Sequence, residues 1–259
     1  MEEEKMNKEM MDRKKRGRLI SLLVLLGFIG FIALITFSFV SAADPEGPTS
    51  VSVVSNETKG VVSTKMINIS GGRIATLNLN ATIQNVRWKA FVGNVTGKFT
   101  LDDSSGSTIY DWTLSSITGR IYATRNSSSV TWGSINCSNV TTLERENIYM
   151  NHSNSLDNLT ATFNASAGAT HGAFYVGSKY ISANTCPTLN VYRNGARNDL
   201  YWEEMALYDS TNIVYAAIID DDETGFDAGA YDFQMIVPEN GLPSFTGATA
   251  YYLYIELGN

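Results

Sequence analysis

The 259-residue sequence contains few of the side chains that build metal sites or nucleic-acid interfaces. Its 2 cysteines exclude a disulfide-rich miniprotein and a thiolate zinc site, and its 2 histidines, His152 and His171, leave almost no material for a histidine metal centre. Lysine and arginine number 19 against 26 acidic residues, so the net charge is -7. Because nucleic-acid binding needs clustered basic side chains that neutralise phosphates, we expect no nucleic-acid partner.

A hydrophobic leader opens the chain. The basic stretch at 13–18 (RKKRGR) precedes 22 residues, Leu19–Val40, that carry no charge. Positive charge on the N-terminal side keeps that end in the cytoplasm, so the following chain is expected to emerge outside. Small residues precede a potential cleavage site that follows Ala42, as in a cleaved signal peptide spanning 1–42. The run 19–40 is also long enough to remain as a membrane anchor, and the membrane would then be a partner.

A third possibility for the leader remains open. The stretch Lys15-Arg16-Gly17 before the apolar run resembles the leader of archaeal pilins and archaellins. That leader is cut after the glycine, so that the hydrophobic helix becomes the core of a filament. Arg18 would then be the first mature residue.

The chain between residues 43 and 166 is dense in Asn-x-Ser/Thr, the acceptor motif for N-linked glycans. Ten of its 14 asparagines carry the motif, where its serine and threonine content predicts about four by chance. We therefore predict a glycoprotein. The acceptors are Asn56, Asn68, Asn80, Asn94, Asn126, Asn136, Asn139, Asn151, Asn158 and Asn164.

Residues 74–83 indicate how an acceptor fits a strand. Their side chains alternate, so that one parity is apolar and the other is polar and includes the acceptor Asn80. A glycan on Asn80 would project from the wet face. The apolar parity consists of Ala75, Leu77, Leu79, Ala81 and Ile83, and the polar parity of Thr76, Asn78, Asn80 and Thr82.

The pattern after the leader is that of an all-β, antiparallel β-sandwich. Short apolar segments with a period of two are separated by turn clusters and are rich in Val, Ile, Thr and aromatic residues. They lie at 50–55, 60–69, 74–83, 85–93, 97–102, 107–113, 119–124, 129–132, 159–163, 173–181, 188–193, 201–209, 212–220, 231–237 and 249–257. One short helix is expected at Thr141–Tyr149, because Thr141 and Glu144 have capping-box spacing.

Two segments have predictable places in the sheet. Residues 213–219 are apolar on both parities, which predicts a central strand covered on both faces. The segment 249–257 is expected to close the sheet. We expect one domain over 43–259, although the loss of glycan acceptors near residue 166 could mark a second sandwich.

Cys137 and Cys186 are the two thiols of a chain that is predicted to be exported. Because oxidising compartments favour disulfides, we predict a Cys137–Cys186 bond. Cys137 is also the middle residue of the Asn136 motif, so a packed, oxidised Cys137 could leave Asn136 without a glycan.

The acidic stretch at 220–227 is the best ligand candidate. Asp220, Asp222, Thr224 and Gly225 match the first half of a calcium-binding loop, in which oxygen ligands alternate along the chain and glycine permits the sharp turn. Only Asp227 and Asp232 could complete the shell. The twelfth position is Tyr231 where an EF-hand has a bidentate glutamate. Two interpretations stay open, a Ca²⁺ site and a plain polar hairpin loop. Asp102 and Asp103 form a weaker cluster that favours a plain turn.

Catalytic chemistry finds little support in the sequence, and we expect no enzyme. Glu203 and Glu204 are adjacent on a predicted strand and therefore face opposite ways. A glycosidase would need a carboxylate such as Asp209 or Asp232 across a cleft from Glu203. No nucleophile-elbow motif is present, and His171 is expected to be a turn residue. Most of Trp88, Trp112, Trp132 and Trp202 should be core, although an aromatic sugar-binding platform is conceivable.

The chain resembles exported cell-surface proteins of archaea, of the small-genome DPANN type. The resemblance is carried by the stretches at 43–58 (ADPEGPTSVSVVSNET), 91–103 (FVGNVTGKFTLDD), 110–114 (YDWTL), 119–125 (GRIYATR), 225–241 (GFDAGAYDFQMIVPENG) and 249–257 (TAYYLYIEL). It implies export and a cell-surface setting, and it implies no activity.

The expected function is therefore a structural or adhesive role at the cell surface, with other surface proteins or glycans as partners. One alternative is a self-associating filament subunit, built through a pilin-like helix or through exchange of a terminal strand such as 249–257. The other alternative is a carbohydrate-binding module.

Overall fold

The computed structural model describes residues 43–164, 169–197 and 201–258. The leader at 1–42, with its three possible fates, lies outside the described residues. The strands are β1 (Trp88–Gly93), β2 (Lys98–Asp102), β3 (Thr108–Thr113), β4 (Thr118–Thr124), β5 (Asn136–Cys137), β6 (Phe174–Val176), β7 (Lys179–Ile181), β8 (Thr188–Asn190), β9 (Glu203–Tyr208), β10 (Ile213–Asp220), β11 (Glu223–Thr224), β12 (Ala230–Tyr231), β13 (Phe233–Pro238) and β14 (Tyr252–Leu257).

The part of the chain that the structure describes contains little helix. A 3-10 turn covers Trp132–Ser134, and two α-helices follow, α1 (Val140–Tyr149) and α2 (Leu159–Thr162). Within the described ranges, none of the helices combines the length and the hydropathy that crossing a bilayer requires.

A central antiparallel sheet of six strands organises the chain. Its order is β14-β4-β10-β9-β5, and β8 also pairs with β9. Strand β5 pairs with Leu207 and Tyr208, while β8 pairs with residues 203–205, so two short strands share one edge of β9. Strands from both sides of residue 166 therefore lie in the same sheet. The contacts place Ala43–Asn259 in one unit, and a boundary near residue 166 would cut this sheet.

Strand β10 is buried on both faces, as its sequence predicted. Ile213, Tyr215 and Ala217 belong to one apolar cluster, and Val214 and Ala216 belong to a second cluster on the opposite face. Side chains that alternate across a strand can only do this if both faces are covered.

Different elements cover the two faces. A two-stranded layer, β1 paired with β13, covers the first face through Met235 and Val237. Leu143 of α1 and Leu159 of α2 complete that cluster. The 3-10 turn and the β6–β7 hairpin cover the second face. The prediction of an all-β, antiparallel, sandwich-like fold is confirmed.

The predicted helix is present, but its cap lies two residues earlier than predicted. Asn139 has extended backbone angles, and its side chain accepts a hydrogen bond from the Thr142 amide at 2.9 Å. The Thr142 hydroxyl in turn accepts from the Asn139 amide at 2.8 Å. The box is therefore Asn139–Thr142, and Thr141 lies inside the first turn.

Several predicted strands are not strands. Residues 50–55, 60–69 and 74–83 form no strand, because alternation makes a segment suitable for a sheet without supplying a neighbouring strand. Residues 129–132 enter the 3-10 turn. Residues 159–163 include helix α2, because the Asn158 side chain accepts a hydrogen bond from the Ala161 amide at 2.8 Å and starts a helical turn.

Gly119 permits the close contact between β4 and β14. Its φ is +141°, and a β-carbon at this position would lie 1.9 Å from the Glu256 carbonyl oxygen. We expect Gly119→Ala to lower the free energy of unfolding by about 2 kcal/mol or more, since both the backbone angle and the contact are unfavourable for alanine. Urea unfolding measures the change. Gly133→Ala, where a β-carbon meets nothing within 4 Å, is the control and should leave the stability nearly unchanged.

Candidate interaction surface

The predicted disulfide is present. Cys137 on β5 is bonded to Cys186, which precedes β8, and their Cα atoms are 4.7 Å apart. The bond therefore joins β5 to the segment just before β8, at the edge of β9 that the two short strands share. Cys186 is buried among the apolar residues of the second face.

His171 lies in a loop, and it also organises the neighbouring loop that carries the disulfide, which its sequence context did not predict. It is only 2% exposed. Its Nε2 atom accepts hydrogen bonds from the amides of Thr185 and Cys186, both at 3.0 Å. A ring nitrogen that accepts two bonds carries no proton, so Nδ1 donates to the Gly172 carbonyl at 2.6 Å. Burial lowers the pKa of His171.

None of the ten predicted glycan acceptors is buried. Asn126 and Asn158 are half-buried and the other eight are exposed. By contrast Asn147, which lacks the motif, is 4% exposed, and its side chain accepts a hydrogen bond from the Leu159 amide at 2.8 Å. Asn139 caps its helix through Oδ1, whereas a glycan is attached through Nδ2, so capping and modification are compatible.

The acidic stretch forms a hairpin loop in which Asp220 and Asp227 each accept hydrogen bonds from different groups of the protein. The Asp220 carboxylate accepts a hydrogen bond from the Trp202 amide, although burial raises its pKa. Asp227 accepts from the Gly229 amide at 2.9 Å and from the Tyr231 hydroxyl at 3.2 Å. Among the described residues, no three His, Cys, Asp or Glu side chains form a group that could hold a metal ion. The structure thus does not gather Asp220, Asp222, Thr224 and Asp227 into a calcium shell. In the weaker cluster, Asp102 ends β2 and Asp103 begins the β2–β3 turn, in line with the predicted plain turn.

The other carboxylates considered for catalysis have structural partners. Glu203 accepts a hydrogen bond from the Gly172 amide at 3.1 Å. Asp209, at the far end of β9, is about 20 Å away at strand spacing, and it accepts from the amides of Thr211 and Asn212. A glycosidase pair needs about 5–10 Å between its carboxyl groups, so Glu203 and Asp209 do not form one.

Asp232 ties three segments together. Its carboxylate accepts hydrogen bonds from the Val95 amide at 2.6 Å and from the Asp222 amide at 2.9 Å. Its own amide donates to the Gly93 carbonyl at 2.9 Å. The side chain is 4% exposed and therefore positions loops rather than facing a cleft.

Three of the four tryptophans are part of the interior, as predicted. Trp132 and Trp202 are buried, and Trp88 is half-buried and donates its ring N–H to the Asp157 carbonyl. Trp112 is 50% exposed on the β2–β3 hairpin. Its ring meets that of Tyr110 at an angle of 63°, so the two rings do not form the flat platform on which a sugar ring stacks.

A pocket of about 410 Å³ lies between the start of β1 and the loop after β13. Glu239 at its wall accepts hydrogen bonds from Lys89, Asn240 and Thr249. Burial alone would raise the pKa of Glu239, but these bonds outweigh it and hold the pKa at about 2. Arg87 faces Asp157 at 3.6 Å. The charged groups of this pocket are thus engaged within the protein.

Residues 49–86 form a long exposed segment. Every residue in it is exposed and it contains no strand or helix. Its apolar side chains are in water: Leu77 is 50% exposed, Leu79 86% and Ile83 85%. Loops longer than about 15 residues are uncommon in compact domains and are mostly functional or disordered. The regular alternation at 74–83 is typical of a chain that pairs, not of a disordered linker.

Both ends of the exposed segment are fixed to the body. Before it, the Glu46 amide donates to the Ile255 carbonyl at 3.1 Å, and the Ile255 amide donates back at 2.7 Å. Near its C-terminal end, the Asn85 side chain donates to the Asp157 carboxylate at 2.6 Å. The segment is therefore a tethered loop and not a free tail.

The outer edge of β1 is unpaired. In its ladder with β13, the Glu239 amide donates to the Arg87 carbonyl. Hydrogen-bonded pairs alternate in an antiparallel ladder, so the backbone groups of Trp88, Ala90 and Val92 point to the side away from β13. In the described part of the chain no strand lies on that side.

Comparisons with known proteins add no relative to this picture: no protein-family model, no curated protein and no solved structure matches the chain.

The disulfide should contribute strongly to stability. We expect the Cys137→Ser, Cys186→Ser double variant to lose about 4 kcal/mol of unfolding free energy, because the bond closes a loop of 49 residues in the unfolded chain. Urea unfolding with and without reductant measures this loss. An unchanged unfolding midpoint under reductant would contradict it.

His171 should make stability depend on pH in the mildly acidic range. Its pKa is lower in the folded chain than the ordinary 6.5, so the unfolded chain binds the proton more readily. Its contribution is complete above pH 6.5 and is lost as the pH falls through that value. Urea midpoints at pH 7.5 and pH 5 should therefore differ more for the wild type than for His171→Gln. Equal differences would refute the assignment.

Proposed function

We propose that this chain is an exported, N-glycosylated structural protein of the cell surface. One observation carries the proposal: every acceptor asparagine is accessible, while the buried Asn147 in the same region lacks the motif. A glycan needs a solvent-facing asparagine, and a motif that arose from composition alone would have no reason to avoid the interior.

The disulfide supports the same setting. A Cys137–Cys186 bond is typical of a chain that matures in an oxidising compartment. The hydrophobic run at 19–40, preceded by basic residues, supplies the means of export. Kinship with archaeal surface proteins is part of this proposal and rests on the sequence stretches that carry the resemblance.

A structural role fits the fold better than recognition of a small ligand. The carboxylates that were candidates for catalysis accept hydrogen bonds from backbone amides, and such bonds hold loops in place. The exposed Trp112 meets Tyr110 at an angle of 63°, so this tryptophan does not form a flat platform for a sugar ring with its neighbour.

The test is the intact mass of the chain isolated from its native cells. We expect a mass above that of the polypeptide by several glycans, no free thiol, and a loss of one glycan in Asn80→Gln. Asn78→Gln lies two residues away on the same parity but carries no motif, and it should leave the glycan mass unchanged. A bare polypeptide with two reduced cysteines would refute the proposal.

A further inference from the structure

We propose that residues 74–83 of one copy pair, as a β-strand, with the open edge of β1 in a second copy. The chain would then assemble through strand addition. The inference adds self-assembly to the proposed surface role, and it rests on the fold and not on the glycans.

The edge of β1 is the open edge of the smaller layer. On the opposite side of that layer, β13 is protected, because the Ile236 amide donates to the buried Glu204 carboxylate at 2.8 Å. Gln234 on β13 also bonds to neighbouring loops, accepting from Phe226 and donating to Tyr192. No comparable backbone partner of Trp88, Ala90 or Val92 of β1 is found within 43–164, 169–197 and 201–258. An open row of amides and carbonyls is a template for another strand.

Among the described residues, the edges of the central sheet are shorter or more covered than that of β1. On the outer side of β14, Glu46 already pairs with Ile255 through two backbone bonds. At the opposite edge, β5 and β8 have 2 and 3 residues, and the disulfide joins β5 to the segment before β8. Short, covered edges resist pairing with another chain. The terminal segment 249–257 closes its own sheet as β14, so it is less available for exchange.

Part of the apolar core next to β1 is only partly shielded from solvent. Leu253, Ile255 and Leu257 on β14 pack against the first apolar cluster but are only half-buried. Phe91 of β1 lies beside β14, since its ring is 6.4 Å from that of Tyr251. A third strand beyond β1 would extend the two-stranded layer over this region.

Residues 74–83 have the sequence that this position requires. The apolar parity would face the partly exposed core, and the polar parity, with Asn80, would face water. The apolar parity consists of Ala75, Leu77, Leu79, Ala81 and Ile83. A glycan on Asn80 would thus stay outside the contact. Each fully buried leucine contributes about 1.5–3 kcal/mol.

Charge favours the same contact. The exposed segment has three basic residues, Lys59, Lys65 and Arg73, and one acidic residue, Glu57, whereas residues 87–258 carry 9 basic and 18 acidic side chains. Opposite net charges steer a segment toward the body of another molecule.

A second copy is the occupant that the single chain indicates. Within one molecule the segment and the edge coexist and remain unpaired, although Ile83 is only five residues from Trp88 along the chain. The segment is fixed at both ends but is long enough to extend outward. Two copies can satisfy each other's open edge and exposed strand, reciprocally or in a chain of subunits.

The test uses three variants of the full chain in mild detergent. The donor variant, Leu77→Asp with Leu79→Asp, places charge on the apolar parity. Its matched control, Thr76→Asp with Asn78→Asp, places the same charge on the polar parity. The edge variant, Ala90→Pro, removes an outward amide where proline is tolerated in an edge strand. Thermal unfolding verifies that each variant folds, and light scattering coupled to size-exclusion chromatography gives the molar mass.

We expect the wild type and the control to assemble, and the donor and edge variants to need about 100-fold higher concentrations to assemble. Mixing the donor and edge variants should restore association as a 1:1 dimer, because one retains a functional edge and the other a functional strand. A monomeric wild type, or undiminished assembly in the variants, would overturn the inference. So would a mixture that stays monomeric, because pairing within one copy predicts no complementation. The glycan mass is measured independently, so either proposal can fail alone.

Discussion

The two-sided burial of β10 is the constraint on which the rest of the molecule depends. An eight-residue strand with apolar side chains on both faces must be central, since an edge or a single layer would leave half of them in water. Two different covers follow from this need. The β1–β13 pair and the helices close one face, and the 3-10 turn, the β6–β7 hairpin and Cys186 close the other.

Buried polar groups join these covers to the sheet. The Glu204 carboxylate on β9 accepts a hydrogen bond from the Ile236 amide of the β1–β13 layer, and burial raises the pKa of Glu204 well above the usual value. Arg125, at the end of β4, donates two hydrogen bonds to the Glu146 carboxylate of α1 at 2.8 and 2.6 Å. Because unpaired buried groups are strongly unfavourable, such contacts fix how each cover sits on the sheet.

The incomplete covering of the first face of the central sheet also bears on the exposed segment 49–86. The central sheet has six strands but the opposing layer has two, so part of the first apolar cluster near β14 is half-covered. The chain carries a ten-residue alternating stretch at 74–83 that pairs with no strand among the described residues. A surface protein decorated with glycans and assembled through added strands would use both features: the glycans keep the outer face hydrated, and the strand completes the layer of the adjoining copy.

The sequence by itself determined the all-β class, the double-sided strand β10, the disulfide and the short helix, because each follows from local alternation or from residue type. It could not determine which alternating segments find partners: β1 and residues 74–83 have similar patterns, yet β1 lies against β13 whereas 74–83 lies in water. Nor could the sequence indicate that His171 accepts hydrogen bonds from two backbone amides or that Asp232 joins three segments. Strand pairing and buried hydrogen bonds join residues distant in sequence, so only the tertiary structure decides them.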